Sequence, residues 1–247
     1  MKLKINYLTY LYLLLVLISG LFKNAVALII IIVFHELGHI IIIKLLNYPI
    51  KEINIYPFGG IITIDKVINT KILHDIIIGR GGILGELILW IIMLFIKPYL
   101  TPYFYSLVVN YNIAIMSLNS MPIYPFDGYH IINNVINYCF SFEKSYHISL
   151  FINLISNIAA IILFIKYRYL NIPFLFILFY SLAILINQRK VILSKFYMER
   201  LYYDFYYRKT NYLKYNHKKY LKREVLSYYI SNNHILSEKD IIRKKGA

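Results

Sequence analysis

A long apolar run, interrupted only by a short polar motif, constrains this chain most. Ala25 to Phe34 and Ile40 to Ile43 carry no charge, and between them stands His35-Glu36-Leu37-Gly38-His39. Similar apolar blocks recur along the 247 residues, which are 59% hydrophobic and only 16% charged. A soluble domain would have nearer a quarter charged residues, interleaved with the apolar ones. The pattern therefore predicts several membrane-spanning helices, because a segment in lipid must satisfy its own backbone hydrogen bonds.

Six spans can be drawn, so the predicted fold class is membrane α-helical, a polytopic bundle of about six transmembrane helices. Their approximate limits are Tyr7 to Phe22, Ala25 to Leu46, Ile72 to Ile96, Tyr103 to Leu118, His147 to Ile165, and Ile172 to Ile186. Between spans two and three, Tyr48 to Asp65 places isoleucines around Pro57-Phe58-Gly59-Gly60. This pattern is typical of a short β-hairpin, although a plain connecting loop fits it equally well.

The charge of the chain is unevenly distributed. The formal net charge is +15, and residues 188–247 hold 15 Lys and Arg against 5 Asp and Glu, a net of +10. Such a bias predicts a cytoplasmic C-terminus, and lysines near the N-terminus indicate the same side for that end. We therefore divide the chain into a transmembrane core, residues 1–187, and a basic, Tyr-rich cytoplasmic tail, residues 188–247. We expect the tail to be helical and to lie along the lipid bilayer, with no nucleic-acid partner.

The polar motif has the spacing of a metal site. On a helix, His35 and His39 project from one face, and zinc can take two nitrogen ligands from that spacing while Glu36 acts as general base. Cys139 is the single cysteine, so a cysteine-based zinc site is excluded. A hydrolytic zinc site needs a third protein ligand. The Pro-rich segment from Asn119 to Gly128 breaks regular helix between apolar spans, and Asp127 in it is the candidate oxygen ligand.

The predicted third span contains the charged residues Arg80 and Glu86 close to several glycines. Intramembrane charges usually face the protein interior or mark a functional site. Glu86 is either a buried partner of an arginine or histidine, or a group near the metal. We favour the structural role for Glu86, and helix packing as the role of the glycines.

Two motifs together resemble the site-2 protease family of intramembrane zinc metalloproteases (peptidase family M50). They are the HELGH sequence in an early span and Asn119-x-x-Pro122-x-x-Pro125-x-Asp127-Gly128 after a later one. The resemblance covers the membrane portion. It implies that His35, His39 and Asp127 are zinc ligands, that Glu36 is the catalytic base, and that Asn119 assists near the substrate or the attacking water. Where family members often carry Ala-Gly-Pro-Leu-x-Asn, this chain has Gly81-Gly82-Ile83-Leu84-Gly85-Glu86.

Within that family, the span count and the early HELGH are most similar to the stage IV sporulation protein FB group. That similarity implies a multi-pass protein of the membrane around the forespore. It also implies cleavage of a membrane-associated substrate, a pro-sigma factor, with membrane-embedded inhibitory or regulatory proteins as further partners. No nucleotide-sensing domain is expected in the short tail.

Other functions are compatible with parts of the pattern. A polytopic transporter could use the histidine pair and Asp127 to bind a metal in transit, although it would not need the base Glu36. Another site-2 protease could act on an anti-sigma factor or on a signal-peptide remnant. A non-catalytic scaffold descended from a protease is disfavoured by the intact Glu36 and Asp127.

Overall fold

The structure is a computed structural model of the chain. It describes residues 2–56, 59–166, 172–203, 205, 207–214, 221–231 and 234–245. The chain divides into two compact units. Unit 1 consists of Met1–Lys66 and Ile77–Ser120, and unit 2 consists of Val67–Ile76 and Met121–Ala247.

The elements before Ser120 alternate helices with a small sheet. In chain order they are β1 (Lys2–Ile5), α1 (Tyr7–Ser19), α2 (Phe22–Leu45), β2 (Ile50–Tyr56), β3 (Gly59–Ile64), α3 (Ile72–Gly79), α4 (Gly81–Ile96), a 3-10 turn (Lys97–Tyr99) and α5 (Pro102–Asn119). Local chemistry sets several boundaries. Thr101 caps α5 by accepting a hydrogen bond from the Phe104 backbone N–H, and proline occupies the first position of that helix. After α2, Asn47 adopts a left-handed conformation (φ 59°), which asparagine tolerates and which ends the helix.

The sheet of unit 1 has the order β1-β2-β3. Strand β1 pairs with β2 in parallel, and β2 pairs with β3 antiparallel, so that Ile53 faces Ile62 and Tyr56 faces Gly59. An ion pair between Lys4 Nζ and Glu52 Oε2, 2.7 Å long, joins β1 to β2. The sheet thus ties the N-terminal segment to the strands that follow α2.

Helices α2, α4 and α5 form the core of unit 1. One cluster of buried apolar side chains joins them and consists of Ala27, Ile31, Leu89, Met93 and Val108. Glycines let α2 and α4 approach closely. A Cβ on Gly38 would lie 2.1 Å from the Gly81 carbonyl oxygen, and a Cβ on Gly85 would lie 2.1 Å from the Phe34 carbonyl oxygen. Only glycine permits this backbone contact, as at other close helix crossings in lipid.

Unit 2 contains helices and a second small sheet. The first part of α3 belongs to this unit. The elements that follow in it are α6 (Asp127–Cys139), α7 (Phe142–Lys166), α8 (Ile172–Tyr202), β4 (Lys209–Lys214), β5 (Val225–Ser231), β6 (His234–Ser237) and α9 (Glu238–Lys245). Strand β4 pairs in parallel with β5, which pairs antiparallel with β6. One apolar cluster, Phe142, Phe196, Leu221 and Ile242, packs α7, α8 and α9 with the segment before β5.

A buried polar network holds the C-terminal sheet to the segment before α3. Arg200 is 1% exposed and donates to Glu238 Oε2 at 2.7 Å, while its Nε donates to the Asn69 side-chain oxygen at 3.0 Å. Arg223 donates to the Asp75 carboxylate at 2.5 Å and to the Thr70 backbone oxygen. Because these charges are paired and hydrogen-bonded, removal of one partner would leave a buried charge uncompensated.

Three helical segments in the described part of the chain are long and apolar enough to cross a membrane. They are Phe22–Leu45, Ile72–Tyr99 and Phe142–Leu163. The second of them is interrupted at Arg80, where α3 ends and α4 begins, so the predicted third span is not one continuous helix. The fold is accordingly of the helical membrane type with a small sheet.

The C-terminal region differs from the expected helical tail. Helix α8 runs through residues 187 and 188, so the predicted division between core and tail falls within a helix. Beyond it, the described residues include three strands and only one short helix, α9. The expectation of a helical tail is therefore wrong for the segments that form β4, β5 and β6, and it holds for the end of α8 and for α9. In β5, Val225, Ser227 and Tyr229 are buried while the residues between them are less so, the period of two that a strand requires.

Candidate metal centre

Helix α2 brings the motif residues onto one face, as their spacing predicts. The Nε2 atoms of His35 and His39 lie 3.2 Å apart, and the two rings meet edge to face. The His35 side chain is 13% exposed, so it lies largely inside the protein. Both histidines therefore present one ring nitrogen to the same small volume.

The other ring nitrogen of each histidine has an acceptor. His39 Nδ1 lies 2.8 Å from the Ile78 carbonyl oxygen, and His35 Nδ1 lies 3.0 Å from Glu86 Oε1. A carbonyl and a carboxylate accept hydrogen bonds, so both Nδ1 atoms carry the hydrogen. Both Nε2 atoms then present lone pairs, which is the tautomer that metal-ligating histidines adopt.

This donor set fits zinc. Two facing lone pairs at 3.2 Å repel each other unless a cation lies between them. Zn–N bonds of about 2.0–2.1 Å in tetrahedral geometry place the two nitrogens about 3.3 Å apart. The distance between the two Nε2 atoms therefore matches a pair of zinc ligands on one helix.

Glu36 is oriented by the hairpin strand β3. The Gly60 backbone N–H donates to Glu36 Oε1 at 2.7 Å. A Cβ on Gly60 would lie 2.9 Å from Glu36 Cδ and 3.2 Å from each carboxylate oxygen. Glycine at this position thus lets the strand backbone reach the carboxylate.

Gly82 supplies the space for the His35 ring. A Cβ on Gly82 would lie 2.1 Å from His35 Cε1 and 2.5 Å from both ring nitrogens. The ring therefore packs directly on the backbone of α4. Since Gly82 stands one turn before Glu86 on that helix, the same face of α4 both receives the ring and binds its Nδ1.

Asn119, the last residue of α5, also lies at this site. Its Nδ2 is 3.2 Å from Glu86 Oε1 and 3.3 Å from His35 Nδ1. Asn112 on the same helix donates to the Glu86 backbone oxygen at 3.0 Å. Unit 1 thus brings together four of the residues on which the sequence analysis focused: His35, Glu36, His39 and Asn119.

Asp127 belongs to unit 2, where it is the first residue of α6. The preceding residue Phe126 has an extended backbone (φ −67°, ψ 155°), and the segment before it contains the Tyr124–Pro125 cis peptide. Tyr124 N–H donates to the Asn153 side-chain oxygen at 2.8 Å, which ties this segment to α7. Asp127 as third zinc ligand remains a prediction from the motif.

The sequence favours a structural role for Glu86 over a position near the metal, and it predicts no role at the metal site for Gly60 or Gly82. The structure places all three against the motif residues. One signal for Glu86 was present, since it is a lone carboxylate in an apolar stretch of α4. No comparable signal marks Gly60 or Gly82, because their contacts depend on how β3 and α4 pack on α2.

If the site performs the zinc-dependent peptide hydrolysis that the motif resemblance implies, Gly60→Ala should lower its rate without removing the metal. The added Cβ displaces the Glu36 carboxylate, and misplacement of a reacting group by about 1 Å costs on the order of 10²-fold in rate. The readouts are kcat for peptide cleavage and zinc content of the purified protein. Thr63→Ala, an exposed change on the same strand, serves as control. Wild-type kcat in Gly60→Ala would show that the contact does not orient Glu36.

The chain is similar to several known proteins. Residues 23–103 match the family model Peptidase family M50. The chain is 27% identical over 138 residues to stage IV sporulation protein FB of Bacillus subtilis (strain 168), which is 54% of this chain and 47% of that protein. It is 28% identical over 147 residues to a zinc metalloprotease of Methanocaldococcus jannaschii, 57% of this chain and 42% of that protein. The chain thus spans less than half the length of these curated relatives.

The fold also has a solved counterpart. The site-2 protease from Methanocaldococcus jannaschii superimposes with a TM-score of 0.52 at 23% identity, over 73% of this chain and 88% of that one. At this identity the match shows the fold alone. Together with the family match, it confirms the resemblance to the site-2 protease family that the two sequence motifs indicate.

Proposed function

We propose that this chain, similar to the site-2 proteases in motifs, family match and fold, is an intramembrane zinc endopeptidase. The observation that carries the proposal is the pair of His35 and His39 Nε2 atoms, 3.2 Å apart, with Glu36 on the same helix turn. A carboxylate beside two metal-binding histidines is the arrangement of metal-dependent peptide hydrolysis. The curated relatives, one of which is named a zinc metalloprotease, support the same activity.

In this mechanism His35, His39 and, by the motif resemblance, Asp127 would hold the zinc. When bound, zinc supplies Lewis-acid polarisation and makes water a nucleophile near neutral pH. Glu36 takes the proton from the attacking water and later returns it to the leaving amine. The Gly60 N–H keeps the Glu36 carboxylate aimed at the site. Asn119, which the motif resemblance assigns to assist the substrate or the water, lies beside His35.

The proposed topology has about six spans with both termini in the cytoplasm. The three long apolar helices support the membrane location. The pairing of β1 with β2, and the Lys4–Glu52 ion pair, support a common side for the N-terminus and the hairpin. An excess of lysine and arginine marks the cytoplasmic side. Substrate would then be cut near that face, where the outer strand β3 could pair with an extended segment.

The substrate we propose is a membrane-associated precursor, a pro-sigma factor processed during endospore formation in the membrane around the forespore. Support comes from the similarity to stage IV sporulation protein FB. Inhibitory or regulatory membrane proteins would be further partners. An anti-sigma factor and a signal-peptide remnant are the alternative substrates of the same active site.

Co-expression tests substrate and activity together. We expect cells that contain the wild-type chain and a candidate pro-sigma factor to accumulate a shortened product. Glu36→Gln, which removes the base, should reduce processing by roughly 10²–10⁴-fold. The measurement is the ratio of product to precursor on an immunoblot, with an anti-sigma factor precursor as the second candidate. Equal processing by wild type and Glu36→Gln would refute the protease, and metal flux in proteoliposomes without proteolysis would favour a transporter.

A further inference from the structure

Glu86 is a buried carboxylate to which the proposed mechanism assigns no role. Its side chain is 0% exposed, on the face of α4 that packs against α2. Oε1 lies 3.0 Å from His35 Nδ1, and Oε2 is buried without a hydrogen-bond partner. Burial of a carboxylate that lacks a cation is costly. In the described part of the chain, no lysine or arginine forms an ion pair with Glu86, and the side chain that Oε1 meets across the helix interface is the His35 ring.

The surroundings hold this carboxylate in one position. The Asn119 side chain donates to Oε1 at 3.2 Å, and the Asn112 side chain donates to the backbone oxygen of Glu86 at 3.0 Å. The His35 ring is itself packed against Gly82, one turn earlier on the same helix. The geometry therefore fixes both the carboxylate and the ring that it contacts.

We propose that Glu86 is a positioning residue for the metal ligand His35, and that its negative charge strengthens zinc binding. This inference rests on the proposed function and extends it. The carboxylate holds hydrogen on Nδ1 and leaves the Nε2 lone pair directed at the metal. It also makes the imidazole Nε2 a stronger electron-pair donor to the metal, as carboxylate partners of metal-bound histidines do. The metal in turn supplies the positive charge that the buried carboxylate lacks.

Glu86 differs from a neutral residue at the same place on α4 by its charge. An amide side chain there could offer an oxygen to His35 Nδ1 but would bring no negative charge. This chain therefore adds one negative charge to the surroundings of its zinc ligands, and we expect tighter zinc binding than a neutral residue would give.

Zinc binding by the purified full-length chain tests the proposal independently of protease activity. Glu86→Gln keeps a carbonyl oxygen for Nδ1 and removes the charge. Loss of an outer-shell partner typically costs 10–100-fold in metal affinity, so we expect the zinc dissociation constant to rise roughly 10–100-fold. Competition with a chelator of known affinity gives the constant. Glu52→Gln, which removes a carboxylate from β2 in the same unit, should retain the wild-type constant.

Excess zinc separates this role from a merely structural one. If Glu86 acts through zinc affinity, saturating zinc should restore full occupancy and most of the proteolysis in Glu86→Gln. A deficit that zinc does not restore would mean that Glu86 only maintains the fold, and would overturn the proposal. A wild-type dissociation constant in Glu86→Gln would overturn it as well. If the wild-type chain itself bound no zinc, the proposed function would fail first, so the two failures are distinguishable.

Discussion

Replacement of His39 with alanine should remove zinc from the protein and with it all proteolysis. His39 Nε2 lies 3.2 Å from His35 Nε2, so the pair supplies two of the ligands that we propose for the metal. Loss of a direct ligand is more severe than loss of an outer-shell partner, so we expect affinity to fall by more than roughly 100-fold. Metal analysis of the purified variant after dialysis gives the zinc content, and peptide cleavage gives the activity.

The chain offers a matched control for this change. His147 is also a histidine on an apolar helix, α7, but its side chain is exposed. His147→Ala should therefore keep one zinc per chain and wild-type cleavage. If His39→Ala retained zinc as His147→Ala does, the pair on α2 would not be the metal site.

Replacement of Asp127 with asparagine should have a comparable effect, because the proposal makes Asp127 the oxygen ligand. Asparagine preserves the size of the side chain and remains acceptable near a helix N-terminus, so α6 should fold unchanged. The asparagine amide is uncharged, whereas the oxygen ligands of protein zinc sites are carboxylates. We expect zinc affinity to fall by more than roughly 100-fold and activity to fall with it.

Asp65→Asn is the matched control, because it makes the same replacement of a carboxylate by an amide away from the metal site. Asp65 pairs with Lys51 at the surface, and both side chains are more than half exposed. This variant should retain zinc, since exposed ion pairs contribute little. Wild-type zinc content in Asp127→Asn would mean that the third ligand comes from another residue, and the motif-based assignment of Asp127 would be wrong.

The metal-binding helix could be predicted because its signal is local. The period of an α-helix alone places His35 and His39 on one face, and the structure has them there on α2. The isoleucine pattern after that helix fits a hairpin or a connecting loop equally well, and β2 and β3 occupy that segment.

Contacts between distant segments could not be predicted in the same way. The meeting of His35 with Gly82 and Glu86 depends on the rotation and crossing of α2 and α4, which one sequence does not encode in any local period. The Gly60–Glu36 bond likewise joins residues 24 positions apart. In the tail, the basic and aromatic composition favoured a helix on the bilayer surface. The alternation of buried and less buried residues in β5 was not recognised from it.

Dependence of cleavage on zinc tests the central claim most directly. The wild-type chain would be purified, reconstituted in liposomes with a membrane-associated precursor, stripped of metal by a chelator and then given zinc again. We predict that cleavage stops on chelation and returns with one zinc per chain, while Glu36→Gln binds the same zinc and does not cleave. Cleavage that persisted without zinc, or that Glu36→Gln supported at the wild-type rate, would contradict the assignment.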